Sequence, residues 1–347
     1  MIEIVSICIP VLALSAWLTK RLLDPNSRYY HLDHPNDRSL HQAPTPRSGG
    51  LAIISSAIIG FFCIALLVSV HSSALWILSG LLLVSGVSYF DDRNHIPAGY
   101  RLAVHLIAAS LLMAGGLEPT HNIVPGNGIP LPDTAAWIFG ILLCAWMINL
   151  YNFMDGMDGF AGGMSVAGFT ALGIIGMDSG HPEFAAFNFI TASAACGFLF
   201  FNFPPARIFM GDVGSSSLGF LAVASSLWGA KTGVFSLWIP ILVFSPFIVD
   251  ASVTLARRIF RGEKIWQAHK SHYYQRLVLS GWGHRKTVVA EYGLMMACAV
   301  SAIFAIKITP EQQLMMIAAW TFVYIAIILL INRLSKGRLE SELDSSA

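Results

Sequence analysis

The chain has 347 residues, 55% of them hydrophobic and only 12% charged, with a net charge of +1 and a mean hydropathy of +0.64. A soluble domain carries about 25% charged residues, so this composition excludes an ordinary globular domain, and a near-neutral charge gives no general argument for nucleic acid as a partner. The five cysteines, Cys8, Cys63, Cys144, Cys196 and Cys298, fall inside apolar segments without a CxxC pair and read as small hydrophobes, not as disulfides or zinc ligands.

A membrane-spanning helix needs about 20 apolar residues. Eleven such segments follow one another, near 2–20, 50–70, 73–90, 102–116, 135–152, 160–177, 185–202, 214–230, 234–256, 288–306 and 313–332. The first lacks a positive n-region and a small-residue cleavage signal, so it reads as a retained span. The pattern predicts an all-α polytopic membrane protein, a bundle of about eleven transmembrane helices. One transmembrane domain is expected over 1–332, with a polar, frayed cytoplasmic tail over 333–347. With eleven spans, 19 of the 21 basic residues fall on one side, and only Lys231 and Lys307 on the other. The positive-inside rule makes that side cytoplasmic, with the N-terminus outside and the C-terminus inside.

The cytoplasmic connections collect the unusual chemistry. The first holds His34-Pro35-Asn36-Asp37-Arg38-Ser39-Leu40-His41 and then Pro44-Thr45-Pro46-Arg47-Ser48-Gly49-Gly50. The second is Asp91-Asp92-Arg93-Asn94-His95, and the third is Asn152-Phe153-Met154-Asp155-Gly156-Met157-Asp158-Gly159. The fourth contains Phe209-Met210-Gly211-Asp212-Val213-Gly214-Ser215, and the fifth is a long basic stretch with His269-Lys270-Ser271-His272. The third stretch is also what a polar turn with helix-capping Asp residues would look like. Two further acidic stretches on the same side weigh against that reading.

Asp91, Asp92, Asp155, Asp158 and Asp212 thus converge on one membrane rim. Adjacent carboxylates repel, which raises a pKa or recruits a cation. A divalent metal resolves the repulsion and can clamp a pyrophosphate. Arg47, Arg93, Arg101 and Arg207 can hold phosphate oxygens, although topology alone would put basic residues on this side. Acids, Mg²⁺ and arginines at a lipid–water boundary suit phosphoryl transfer between a soluble donor and a lipid acceptor. There is no P-loop GxxxxGK[ST] and no GxSxG. Asp250 differs, because it lies inside the ninth segment. It forms either a wall of the cleft or an interhelical hydrogen bond.

In this order, from about His34 to Arg285, these motifs resemble the polyprenyl-phosphate N-acetylhexosamine-1-phosphate transferases. That membrane family contains the peptidoglycan phospho-MurNAc-pentapeptide translocase and the GlcNAc-1-phosphate transferases of O-antigen and teichoic acid synthesis. The resemblance implies a helical bundle with a cytoplasmic cleft for the nucleotide and a groove for the lipid carrier. Asp91 and Asp92 match the family's DD pair, with Asp91 implied to deprotonate or position the carrier phosphate. Asn152, Asp155 and Asp158 match an NxxDGxDG stretch implied to line the uridine-diphosphate site. Asp212 matches the aspartate of FMGDxGS, implied to hold Mg²⁺, for which Mn²⁺ can substitute. His269 and His272 match a histidine motif implied to recognise the sugar or its phosphate, while Arg47 and Arg101 join the substrate-binding set. Where some members carry a lysine after the DD pair, Arg93 and His95 stand here, so the carrier-phosphate cation is either Arg93 or Arg101.

The stretch His-Lys-Ser-His-Tyr-Tyr-Gln-Arg-Leu lacks the triple histidine of the cell-wall translocase and points to the surface-polysaccharide branch. The implied partners are a UDP-N-acetylhexosamine, undecaprenyl phosphate and membrane lipid, with no nucleic acid, and the resemblance allows a homodimer. The implied location is the bacterial inner membrane, and the implied reaction is direct attack of the carrier phosphate on the β-phosphorus. A two-step route through an aspartyl intermediate is the other course. The rival reading is an ion-coupled secondary transporter using Asp250. Such proteins place their ligands near the bilayer midplane on related repeats, and no repeat is visible here.

Overall fold

The computed structural model describes residues 2–35, 40–41, 43–67, 72–94, 96–120, 123–126, 130–264 and 269–344. Arg38 and His95 lie outside the described residues. The helices run in chain order as α1 (Ile2–Leu22), α2 (Gly49–Ala65), α3 (Ala74–Asn94), α4 (Ala98–Ala114), α5 (Asp133–Met154), α6 (Phe160–Asp178), α7 (Pro182–Asn202) and α8 (Gly211–Lys231). There follow α9 (Trp238–Val243), α10 (Ser245–Phe260), α11 (Tyr273–Leu277), a wide π-type run Val278–Trp282, α12 (Gly283–Ala305) and α13 (Pro310–Asp344). Between α1 and α2 two short strands, β1 (Leu32–Asp33) and β2 (Thr45–Pro46), pair antiparallel, with Leu32 opposite Pro46. The protein is an all-α, multi-pass membrane protein: among the described residues eight helices are long and apolar enough to cross a bilayer. The helices α2 and α4, of 17 residues each, are apolar but shorter.

The segment expected as one helix over 234–256 is broken. Its first part, α9, ends at Val243, and after Phe244 the chain restarts as α10 with Ser245 and Pro246. Proline has no N–H to continue the preceding ladder and fits the first turn of a new helix. Ser245 Oγ donates to the Leu242 carbonyl at 2.7 Å and lies 2.5 Å from Tyr324 Oη, so a freed carbonyl and the break itself are both held by side chains. At the other end of the chain, α13 does not stop at 332. Its backbone stays helical to Asp344, through the stretch expected as a frayed tail.

The bundle is built around α8. Its membrane window is entirely buried, with α2, α3 and α5 packed against it. Ser and Gly lower the hydropathy of this segment, yet they are what let neighbours come close, since small side chains allow backbones to approach. Gly50 on α2 meets Gly214 on α8 so tightly that a Cβ on Gly50 would stand 2.1 Å from the Gly214 nitrogen. A second group, α6 and α7, packs together and against α1, α2 and α12. Large apolar side chains on the outer helices, such as Phe62, Phe200 and Phe322, are exposed, as a lipid-facing surface requires.

Candidate functional site

The connections at one end of the bundle are stitched together by their backbones. β2 continues into the α7–α8 connection: the Phe209 amide donates to the Pro46 carbonyl at 2.7 Å, and the Gly49 and Gly50 amides donate to the Phe209 and Met210 carbonyls at 3.0 and 2.7 Å. Gly211 then turns the chain into α8 with φ +73°, where a Cβ would also stand 2.4 Å from the Arg47 carbonyl. Both demands select glycine. Asn202 braces the neighbouring turn, accepting from the Gly159 amide at 2.9 Å and donating to the Ile208 carbonyl at 2.8 Å.

This framework surrounds a cleft of about 300 Å³, lined by Asp92, Asp155, Asp158 and Asp212 among others. The DD pair divides its labour. Successive residues of a helix point about 100° apart, so the two carboxylates face different partners. Asp92 reaches the N-terminus of α8, accepting from the Asp212 and Val213 amides at 3.2 Å each, and lies 3.7 Å from Arg47 Nε. It caps a helix from another element, where a carboxylate also meets the positive end of the helix dipole. Asp91 is buried in the α3–α4 turn, accepting from the Ile96 amide at 2.7 Å and from Arg101 at 2.5 Å. Arg101 also approaches Asp212 at 3.5 Å, and Asn152 donates to the other Asp212 oxygen at 2.9 Å. Arg47 bridges Asp92 to Asp33, the latter at 3.6 Å.

Asp155 follows the end of α5 and is only partly exposed. Among the described residues its carboxylate has no hydrogen-bond or ion-pair partner. Burial, and then the charges of Asp212, Asp92 and Asp158, push its carboxyl well above the usual carboxylate range. Among the described residues no three His, Cys, Asp or Glu side chains already form a ligand set. A hard divalent ion such as Mg²⁺ is commonly held by one or two carboxylates, with substrate phosphates completing its shell, and the oxygen donors of this cleft suit it. Asp158 is engaged instead: one oxygen accepts from the Ala206 amide at 3.0 Å and the other lies 3.1 Å from His284 Nδ1.

The structure thus brings Asn152, Asp155, Asp158, Asp212, Asp92 and Arg47 to one cleft, with Asp91 and Arg101 directly behind Asp212. It does not bring His269 and His272 there. His272 is 4% exposed, and its Nδ1 sits 3.1 Å from Asp250. His269 packs on His272 and bonds Ser271, and burial beside His272 and Arg258 lowers its pKa to about 4, so it is neutral at pH 7. The same chain segment supplies Gln275 and His284 to the cleft instead. Neither was singled out from the sequence. The capping of the short α11 explains the exchange, because it commits His272 to Asp250 and holds the buried Gln275, whose Oε1 accepts from the His272 amide at 3.3 Å, at the cleft wall.

Of the two readings of Asp250, the interhelical hydrogen bond holds. Its oxygens accept from Thr254 Oγ1 and from the Tyr273 and Tyr274 amides, all within 3.0–3.1 Å, beside His272. It is the cap of α11, and it meets donors with both oxygens.

Residues 74–230 match the family described as glycosyl transferase family 4. The chain is 31% identical over 281 residues to a probable undecaprenyl-phosphate N-acetylglucosaminyl 1-phosphate transferase of Bacillus subtilis, covering 78% of this chain and 76% of the relative. It is 30% identical to a decaprenyl-phosphate N-acetylglucosaminephosphotransferase of Mycolicibacterium smegmatis, covering 87% and 82%. It is 29% identical to a phospho-N-acetylmuramoyl-pentapeptide-transferase of Listeria monocytogenes, covering 75% and 83%. A membrane bundle whose carboxylates gather at one end, in a chain this similar to these enzymes over most of its length, belongs to glycosyl transferase family 4, the membrane enzymes that transfer a sugar 1-phosphate to a polyprenyl phosphate.

Proposed function

We propose that the chain transfers an N-acetylhexosamine 1-phosphate from its UDP-sugar to undecaprenyl phosphate, releasing UMP and starting a surface polysaccharide of the O-antigen kind. The observation that carries this reading is the partnerless Asp155 carboxylate facing Asp212 across a cleft with arginines at its edge. Asp155 and Asp212 would hold Mg²⁺, which supplies charge neutralisation at the diphosphate. Asn152 and Arg101 fix the two oxygens of Asp212. Arg47 donates to the Asp92 carbonyl at the end of α3 and lines the same space. Phe209 and Met157 line the cleft and offer an apolar face to a flat base.

Arg101 marks the acceptor's side in this reading. Its neighbours Tyr100 and Leu102 are 69% and 47% exposed, as lipid-facing residues would be. Asp91 holds Arg101 in place and so serves the acceptor's phosphate indirectly. An oxygen of that phosphate attacks the β-phosphorus of the donor, the bond to the UMP oxygen breaks, and the product is a polyprenyl-pyrophosphoryl sugar. We assign residues 1–332 to one catalytic transmembrane domain of eleven crossings in the bacterial inner membrane. The cleft is then cytoplasmic, as the distribution of basic residues favours.

The test is UMP release by purified protein in detergent, given undecaprenyl phosphate, Mg²⁺ and UDP-N-acetylhexosamines one at a time. Release that needs lipid and metal, and that falls sharply in Asp212→Asn, is the expected result. Metal-independent release, or near-normal turnover in Asp212→Asn, would overturn the assignment.

A further inference from the structure

His284 sits in the first turn of α12, far along the chain from the acidic motifs, yet it closes one wall of their cleft. Its Nδ1 lies 3.1 Å from Asp158 Oδ1, and Leu40 lines the same cleft. The other Asp158 oxygen accepts from the Ala206 amide. One carboxylate therefore meets three parts of the chain, the α5–α6 turn, the α7–α8 connection and α12. The side chains of His284 and Asp158 are 20% and 12% exposed, which leaves an edge of each to the cleft.

The chemistry demands such a partner. Asp155, Asp92 and Asp212 line the same space, and like charges at close range repel. With one amide alone as anchor, Asp158 could turn away from them. The His284 Nδ1 stands 3.1 Å from its second oxygen without yet bonding it, and a slight turn of the ring makes a charge-assisted hydrogen bond, the strong kind. The imidazole also offsets negative charge on the wall that a diphosphate must approach. His269 and His272 cannot do this, because His272 is committed to Asp250 and neither ring lines the cleft.

We infer that His284 is a positioning residue for the nucleotide-sugar donor, acting through Asp158. The inference rests on the donor-site reading given above. It assigns the donor rather than the acceptor because His284 and Asp158 share their wall with Leu40, Met157 and Phe209, whereas Arg101 stands outside that lining on the lipid-facing side.

The experiment uses the full-length protein in detergent. UDP binding is measured by calorimetry, and turnover is measured with donor and acceptor varied in turn. His284→Ala is expected to raise the donor KM and weaken UDP binding about tenfold, the worth of one hydrogen bond to a charged group, with the acceptor KM unchanged. In His284→Asn the side-chain amide N–H can take the place of Nδ1–H and is expected to recover most of the loss. A purely structural role would move both KM values together and would not be rescued by Asn. Equal changes in both, a donor KM within about twofold of the unsubstituted protein, or no recovery in the Asn variant overturns the inference. Failure of the unsubstituted protein to bind UDP overturns it together with the donor-site reading, and is distinguished by appearing before any substitution is made.

Discussion

The contact between α2 and α8 makes a sharp prediction for Gly50→Ala. The new methyl carbon would lie 2.1 Å from the Gly214 nitrogen, 2.5 Å from its Cα and 2.9 Å from the Met210 carbonyl oxygen. Ordinary contact begins at 3.4 Å. Every atom it meets is backbone, so no rotamer relieves the clash, and the helices must part by about 1.3 Å in a closely packed interior. Overpacking of this kind costs about 1–3 kcal/mol. Functionally the cost is larger, because the displaced strand of chain is Met210-Gly211-Asp212. The Gly50 amide bonds the Met210 carbonyl at 2.7 Å, and the first turn of α8 carries Asp212 two residues later. Misplacing a reacting group by about 1 Å lowers rates on the order of a hundredfold. Initial rates of UMP release, with thermal unfolding in the same detergent, measure both effects. The control is Gly86→Ala in α3, where a Cβ meets nothing within 4 Å and alanine is the better helix former. That variant is expected to keep full turnover and equal or higher stability. Turnover of Gly50→Ala within about threefold of the unsubstituted protein would refute the claim that the α2–α8 contact sets the position of Asp212.

Other perturbations test single contacts. Asp92→Ala removes the carboxylate that caps α8 and is expected to lower unfolding free energy by about 1–2 kcal/mol; an unchanged denaturation midpoint would count against the capping role. The folded carboxyl of Asp155 titrates above its unfolded value, so its contribution to stability is full below the ordinary carboxylate range and is lost as pH rises toward the folded value. Asp155→Asn removes that loss, and should raise thermal stability at pH 8 in chelator with little gain near pH 4. It should also blunt the stabilisation that Mg²⁺ gives. Equal gains at both pH values, or an undiminished Mg²⁺ effect, would contradict the mutual repulsion drawn here. Asp250→Ala leaves the α11 amides and His272 without their acceptor, at about 1–3 kcal/mol. Its defect should therefore appear in unfolding, and a fully stable but inactive variant would return Asp250 to the chemistry.

Most of the fold was legible because the membrane imposes it: length and hydropathy alone mark the long helices. The places that escaped are those where hydropathy is silent. The segment 234–256 is apolar throughout, so its break at Phe244 does not register as a change in composition; only Ser245-Pro246 announces it, by removing a backbone donor. The polar end of α13 looks like a tail for the same reason, since hydropathy falls there while helix-forming residues such as Leu339, Glu340 and Glu342 continue.

The acidic cluster was legible for a related reason, because carboxylates beside apolar runs are costly unless they have work to do. What sequence order could not give was the direction each side chain takes. Asp91 and Asp92 are neighbours in the chain and look like a pair, yet one holds Arg101 and the other holds the start of α8. His269 and His272 carry the chemistry that a motif search seeks, but a short helix capped by Asp250 commits His272 to that carboxylate, and Gln275, three residues later, lines the cleft. His284 lies beyond a π-type run and a change of helix, so no spacing rule links it to Asp158. Two aspartates that seemed equivalent also part company here. Asp158 accepts from an amide and lies against an imidazole, while Asp155 has neither among the described residues and shares its cleft with Asp212. Asp155 is therefore the carboxylate whose surroundings resist its charge, and Asp158 the one already engaged, a division that only the three-dimensional neighbours of the two carboxylates supply.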